Sequence, residues 1–419
     1  MNILLSAYAC EPNKGSEPGF GWNWACHLSQ RGHKVIVLTS ERYRTSIIAE
    51  VELHREKYKN LYFIYVKEPP LEKIFGKNEI TIRLRYIMWQ YKAFKLVKKL
   101  KLENEVDIIH HVTWGSLQMG SLLWKLNKPF VFGPVGGGQT SSKKFKKYYG
   151  IKWYIEILRD FYTKYFFRFF STSKAASKSD LILVTNEETQ KLAQKMKAKN
   201  TKLMLDSALK EEFIPEQFIV RSSGLHNKKT TVLWVGRLLK RKGVGLLIDV
   251  AKKIKGKNIE IVVVGDGEEK KLIENELQKD NNLPIKLIGH VKWQEIAKWY
   301  SKADIFAFTS LRDSFGMQLL EAMAFGLPII CLNQHGARNF VPDNAAIKIE
   351  VENKSLDEII EEFASSIMIL AENYELRIKL GQNGYRFALE NTWNKRAEEI
   401  EKYYYSIIYN KNLQNSVVN

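Results

Sequence analysis

At 419 residues the chain is longer than one ordinary core organises, so two domains of roughly 200 residues are expected, and its 45% apolar and 26% charged content is that of a soluble globular protein. Cys10, Cys26 and Cys331 have no C-x-x-C spacing, which argues against a disulfide framework or a zinc site and for a reducing, cytosolic compartment. The net charge of +19 calls for an anionic partner: nucleic acid, an anionic membrane or a phosphorylated substrate.

The opening "MNILLSAYAC" lacks a basic n-region and reads as a first strand, not a signal peptide. No window reaches ~18 uninterrupted apolar residues, so no membrane-spanning helix is expected. In the first half "NILLSAY", "KVIVLTS", "LYFIYV", "VDIIHHV", "PFVFGPV" and "LILVTN" read as strands, with helices such as Gly21–Arg31 and Arg83–Lys101 between them. After the first strand, "PNKGSEPGFGWNWACHL" is a glycine loop running into a helix. Gly15, Gly19 and Gly21 loosen it, Ser16 suits an N-cap, and Pro18 follows. "VDIIHHVTWG" ends a strand in His110 and His111. Adjacent strand residues point to opposite faces, so one histidine can meet substrate while the other packs. "GPVGGGQTSS" places three consecutive glycines after a strand, in a loop that either closes over a substrate or simply turns. In Lys143–Lys174, Tyr154, Leu158, Phe161, Tyr165 and Phe169 share one helical face. Lys152, Glu156, Arg159, Asp160, Thr163 and Lys164 lie opposite. Aromatic residues beside lysines suit a membrane interface; the alternative is a helix packed on its own domain with a solvated basic face.

"KEEFIPEQFIVRSSGLHNKK" breaks the rhythm and reads as a linker. The expected organisation is a first domain over 1–209, a linker over 210–229, a second domain over 230–391 and a last helix over 392–419. In the second half "TTVLWVG", "IEIVVVG", "IKLIGHV", "ADIFAFTS" and "PIICLN" read as strands. Helices are expected near Gly243–Ile254, Glu268–Gln278, Gln294–Ser301 and Gly316–Ala324. Alternating strands and helices predict two doubly wound parallel α/β domains with ligands at the carboxyl ends of the strands, and so a cleft between them. "GRLLKRKG" follows a strand. Gly236 turns the chain, and Arg237 and Lys242 offer a planar fork and a compact charge suited to a diphosphate. In "VVVGDGEE", Gly265 opens a G-D-G that either admits a ligand close to the backbone or forms a tight turn. It is not a full G-x-G-x-x-G, and no acid is placed to mark a nicotinamide cofactor. "TSLRDSFGMQLLEAMAFGLP" places Asp313 in a loop after a strand and Glu321 inside the next helix. Gly316 leaves the helix start open to an anion. Each carboxylate can accept hydrogen bonds from a sugar diol.

These motifs resemble the retaining glycosyltransferases of family 4, which have the GT-B fold. That family reads G-R-L…K-G, then G-x-G, then E-G-F-G-x-x-x-x-E-A-M-A-x-G-x-P in its second domain. Here "GRLLKRKG", "GDG" and "DSFGMQLLEAMAFGLP" occur in that order. The family's first domain opens with a G-G loop and L-A-x-x-L-x-x-x-G-H-x-V. Here Gly15–Ser16 and "WACHLSQRGHKV" stand in those places. The resemblance spans nearly the whole chain. It implies two Rossmann-like domains facing across a cleft, with the last helix crossing back to the first. Arg237 and Lys242 would stabilise a leaving diphosphate, Glu321 would hold the ribose, and Asp313 would reach the donor sugar. The amides of Phe315, Gly316 and Met317 would lie near phosphates and sugar, and Gly15 and Ser16 would border the diphosphate. Asp313 is one methylene shorter than the family's glutamate, and Ser16 replaces a glycine. The family's histidine position falls at Val112, so its role would pass to His110 or His111.

The implied reaction moves a hexose-type sugar, with retention, from a UDP- or GDP-type sugar to a hydroxyl of a glycan or lipid-linked acceptor, in bacterial cell-surface polysaccharide biosynthesis. No D-x-D occurs in the chain, so no metal and no further cofactor are expected. With a sugar-donor site and no nucleic-acid motif, the positive charge is assigned to the donor and to an anionic membrane through 143–174, and not to nucleic acid. That places the protein in the cytoplasm, peripheral on the inner face of the plasma membrane. The competing readings are a sugar-nucleotide epimerase of the same fold and a non-catalytic membrane-associated protein.

Overall fold

Parallel strands covered by helices on both faces need apolar side chains in both directions, and the continuous apolar runs supply them. The protein is described by a computed structural model covering residues 1–71, 75, 76, 78–166, 174–221, 229–292 and 295–418. Its first sheet has seven strands: β1 Asn2–Ser6, β2 Lys34–Ser40, β3 Leu61–Val66, β4 Ile108–His111, β5 Phe130–Val135, β6 Leu181–Val184 and β7 Thr201–Leu203. They lie in the order β3-β2-β1-β4-β5-β6-β7. The second sheet has six: β8 Thr230–Val235, β9 Ile259–Val264, β10 Ile285–Gly289, β11 Ile305–Phe308, β12 Ile329–Leu332 and β13 Ala346–Ile349. Their order is β10-β9-β8-β11-β12-β13. The pairings at the centre of each sheet are parallel, β1 with β4 and β8 with β11. In both sheets the strand order reverses between those central neighbours, which opens a crevice at their carboxyl ends.

The sequence reading finds eleven of these strands and misses the edge strands β7 and β13. Each is short and carries a lysine, as edges that must not recruit another chain commonly do. The first helix begins at Ser16, not near Gly21, with Gly15 as its N-cap. The helix read from Arg83 begins at Glu79, where the Asn78 side chain accepts the Thr81 N–H. Gln294, at the start of one expected helix, lies outside the described residues, as do residues 222–228 of the expected linker.

The chain forms two units. One comprises Met1–Gly138, Phe161–Ser207 and Trp393–Asn419; the other comprises Gln139–Asp160 and Ala208–Thr392. Residues 139–160, placed in the first domain by chain order, therefore belong to the second unit. The reason is packing: Phe145, Tyr149 and Trp153 are buried in that unit's core beside Val244, Leu247 and Leu311. The last helix, Trp393–Val418, belongs to the first unit. Trp393 packs against Trp24 at 5.6 Å between ring centres, and Glu401 takes Arg31 at 2.5 Å and His33 at 2.8 Å.

The described end of the expected linker is an anchor. The Arg221 guanidinium donates to the carbonyls of Tyr300 (3.2 Å), Ala303 (2.5 Å), Phe325 (2.7 Å) and Gly326 (3.1 Å). These carbonyls lie at and just beyond the carboxyl ends of the helices Ala297–Lys302 and Met317–Ala324, where backbone carbonyls run short of helical partners. Burial, the largest influence on it, lowers the Arg221 pKa to about 10. Arg221→Ala should therefore lower unfolding free energy by roughly 3 kcal/mol, since hydrogen bonds to a charged group contribute about 1.5–3 kcal/mol and one guanidinium serves several. Arg221→Lys, which loses the fork, should recover less than half. Urea unfolding measures both.

Candidate active site

The second sheet's crevice lies between the loops that follow β8 and β11. After β8, Gly236 and Arg237 lead to the short turn Lys240–Lys242, and Gly243 enters the helix Val244–Lys253. Gly243 has φ +74°, and a Cβ there would lie 1.9 Å from the Thr309 carbonyl oxygen. Only glycine lets the two loops approach this closely. The loops are then laced together. The Arg241 carbonyl accepts the N–H groups of Leu311 (2.8 Å) and Arg312 (3.2 Å), and the Lys242 carbonyl accepts the Thr309 hydroxyl at 3.1 Å.

At the centre of the lacing, the Lys242 ammonium donates to the Asp313 carboxylate. Arg241 Nη1 stands 3.8 Å from the other Asp313 oxygen, and the Ser310 hydroxyl donates to Asp313 at 3.3 Å. The Phe308 ring lies 5.6 Å from Lys242 Nζ. Lys242 is buried, and that desolvation pushes its pKa down although Asp313 opposes the shift. Burial acts to raise the Asp313 pKa, but Lys242 and then Arg241 outweigh it and hold the carboxyl below its ordinary value. Arg237, by contrast, is exposed beside the pair.

Gly316, with φ +105°, starts the helix Met317–Ala324, and its missing side chain leaves room for the Phe308 ring, which a Cβ would meet at 2.5 Å. Met317 is the first residue of that helix, and Phe315 is buried edge-on to Phe340 at 5.9 Å. Glu321 is buried, not solvated, and accepts a 2.7 Å hydrogen bond from the Tyr300 hydroxyl. Nothing in the sequence marks Tyr300 as its partner. Gly265 sits against the Gly236 backbone, and the Gly236 N–H donates to the Val264 carbonyl at 3.0 Å. The G-D-G is thus a turn packed on the "GR" loop. Arg237, Lys242, Asp313, Phe315, Gly316, Met317, Glu321, Gly236 and Gly265 all belong to loops and helix starts around this one crevice.

The first unit's crevice, after β1 and β4, has its own carboxylate clamp. Glu17, just inside the helix after Gly15 and Ser16, accepts the backbone N–H groups of Trp114 and of Gly115, the latter at 3.2 Å. Trp114 is held at φ +57° with its ring stacked 4.3 Å from Tyr86, and Ser16 at φ +60°. The sequence reading passed over Glu17 and Trp114; the bulky residue in left-handed backbone is visible only in the structure.

The two histidines do point to opposite faces, but neither is open to a substrate. His110 is fully buried. Its Nε2–H donates to the Gly133 carbonyl at 2.6 Å, so Nδ1 accepts the Tyr404 hydroxyl at 2.5 Å. Both nitrogens are used, and the catalytic role considered for His110 conflicts with that placement. His111 is also buried, with Nε2 3.1 Å from the Tyr86 hydroxyl. Burial lowers His110 to about 3 and His111 to about 4 from 6.5.

Two family models match the chain: "Glycosyltransferase Family 4" over residues 22–204 and "Glycosyl transferases group 1" over residues 215–387. The chain belongs to the group 1, family 4 glycosyltransferases. An uncharacterized glycosyltransferase of Methanocaldococcus jannaschii is 28% identical over 77% of this chain and 82% of its own. The capsular polysaccharide biosynthesis glycosyltransferase CapM of Staphylococcus aureus is 31% identical over 43% of this chain and 47% of its own. Among solved structures, Anabaena HepE in complex with UDP aligns over 96% of this chain and 99% of its own, at 16% identity and a TM-score of 0.58. The two parallel sheets of this glycosyltransferase are those of the GT-B fold.

Below pH 6.5 the unfolded chain binds protons that the buried native histidines refuse. Stability should therefore fall as pH drops from about 6.5 towards 4, by roughly 2 kcal/mol per histidine at pH 5. His111→Gln should remove about half of that pH dependence in urea unfolding; an unchanged slope would exclude His111 as a source.

Proposed function

We propose that this glycosyltransferase moves a hexose-type sugar, with retention, from a nucleoside diphosphate sugar of the UDP or GDP type to a hydroxyl of a glycan or lipid-linked acceptor in bacterial cell-surface polysaccharide biosynthesis, without a bound metal. The observation that carries the reading is the convergence of Lys242, Arg237 and Asp313 at the switch point of the second sheet, with Glu321 on the next helix. The UDP bound by Anabaena HepE and the capsular role in the name of CapM support the donor class and the pathway. In the reaction, the bond from the anomeric carbon to the phosphate oxygen breaks, and a bond to the acceptor oxygen forms on the same face. The acceptor proton passes to the departing phosphate. Arg237, Lys242 and the N–H groups at Gly316–Met317 meet the negative charge that develops there. A diphosphate competes with Asp313 for Lys242, and the released carboxylate turns to a sugar hydroxyl. Glu321 takes the ribose diol.

A panel of nucleotide sugars tests this by thermal stabilisation, since a ligand at 100 times its dissociation constant adds about 2.7 kcal/mol. Arg237→Ala is the clean variant, because Arg237 is exposed while Lys242→Ala would take the ion-pair partner from a half-buried Asp313. It should keep the melting temperature, lose most nucleotide stabilisation and cut turnover at least tenfold. Epimer formation without an acceptor would replace the transfer reading.

An anionic membrane surface is the second partner we propose. Along 143–166 the aromatic face is exposed and not packed on its own domain: Ile151, Tyr154, Leu158, Phe161 and Tyr165 lie at the surface, while Trp153, Glu156 and Thr163 are buried. Phe169 lies outside the described residues. Lys146, Lys147 and Lys152, exposed, flank the apolar face in sequence. The helix Glu79–Leu100 presents a second exposed stripe of Ile80, Leu84, Ile87, Met88 and Tyr91, followed by Lys92, Lys95 and Lys99. Among the described residues no helix is long and apolar enough to cross a membrane. Apolar side chains flanked by lysines fit an interfacial contact. The chain should float with anionic vesicles at low salt and lose binding in the Tyr154→Glu, Leu158→Glu double variant; failure to float at low salt ends the proposal.

A further inference from the structure

The helix Trp153–Phe161 reaches the crevice from the other half of the sequence. Glu156 on its inner face is buried, and its Oε2 lies 2.9 Å from Arg312 Nε while Oε1 accepts Arg312 Nη2 at 3.1 Å. This is an ion pair with one hydrogen bond, on the residue immediately before Asp313. Arg159 Nε stands 3.5 Å from the same carboxylate. Arg312 is tied in turn to the loop after β8: its N–H donates to the Arg241 carbonyl, and its own carbonyl accepts Arg241 Nη1 at 3.4 Å. Trp153 and Tyr149 anchor the helix in the core of the same unit. Glu156 itself touches neither Lys242 nor Asp313.

We propose that Glu156 is a positioning residue for the Lys242–Asp313 pair, acting through Arg312, and that it sets affinity for the diphosphate-sugar end of the donor. The proposal rests on the donor site described above. Its physical basis is that a largely buried ion pair contributes little net stability but fixes one geometry. If Arg312 is free to turn, the backbone of Asp313 loses its reference on one side. The Glu321 end of the site, at Tyr300, has no link to Glu156 and is expected to be unaffected.

The test compares two probes on each variant by calorimetry: the nucleotide sugar selected by the stabilisation panel and the nucleoside monophosphate of the same base. In Glu156→Gln the nucleotide sugar should bind roughly tenfold more weakly, a size typical of residues that act on a site through another, while the monophosphate binds as in wild type. Glu156→Asp, which keeps the charge, should recover part of the loss. In an Asp313→Asn background, Glu156→Gln should add nothing further. Arg312→Lys keeps the charge and loses the Nη2 donor, and carries the same expectation if Glu156→Gln folds poorly. Equal weakening of both probes, or a lowered melting temperature with both affinities unchanged, overturns the positioning role. A wild-type protein that binds no nucleotide overturns the functional reading, and this role with it; wild-type binding with unchanged variants overturns this role alone.

Discussion

A buried lysine and a half-buried aspartate face each other where the second sheet changes direction. Lys242 and Asp313 stand 71 residues apart in sequence, and the ion pair holds their loops in one register. Neither partner is comfortable alone. Desolvation disfavours both charges, and each is favoured by the charge of the other. Such pairs contribute little net stability against a well-packed apolar alternative, because the desolvation cost consumes most of the attraction. The pair is therefore better understood as a fixed arrangement of charge than as a brace. Gly243 permits it, since any side chain there would push the two loops apart at Thr309.

The first unit solves the same topological problem with different chemistry. Its crevice between β1 and β4 is also bridged by a carboxylate, but Glu17 accepts backbone N–H groups instead of a lysine. Burial raises the Glu17 pKa, against the lowering effect of the Gly115 and Trp114 N–H groups. One crevice thus carries paired charges suited to an ionic ligand. The other carries a carboxylate held by amides beneath stacked aromatic rings, Trp114 on Tyr86 and Tyr8 edge-on to both. Tyr8 and Tyr86 are themselves part of the first unit's buried core.

The sheets were legible because buried parallel strands are written as unbroken apolar runs; the edge strands β7 and β13 were not, because short edges need no such run. Asp313, Gly316 and Glu321 were legible as a group because strand end, loop and helix start follow one another in the chain. What their carboxylates bond to was not. Tyr300 reaches Glu321 from a separate helix, and Tyr404 occupies His110 from 294 residues away. The allegiance of 139–160 was also hidden. Helical periodicity shows that two faces differ, but it does not say which face is covered.

The helix Trp153–Phe161 shows why periodicity fails there. A helix oriented by the hydrophobic effect alone would turn Tyr154 and Leu158 inward and leave Glu156 in water. This one does the reverse, because Trp153 supplies the apolar anchor and Arg312 offers Glu156 a charged partner that compensates its burial. The ionic contact thus decides the rotation of the helix, and rotation decides that an apolar face is presented outward. The same device, a largely buried charge pair that specifies geometry at small net gain, is used at Lys242–Asp313 one residue further along the chain from Arg312. The orientation of the outward apolar face and the geometry of the charged crevice are therefore set by adjacent residues of a single loop.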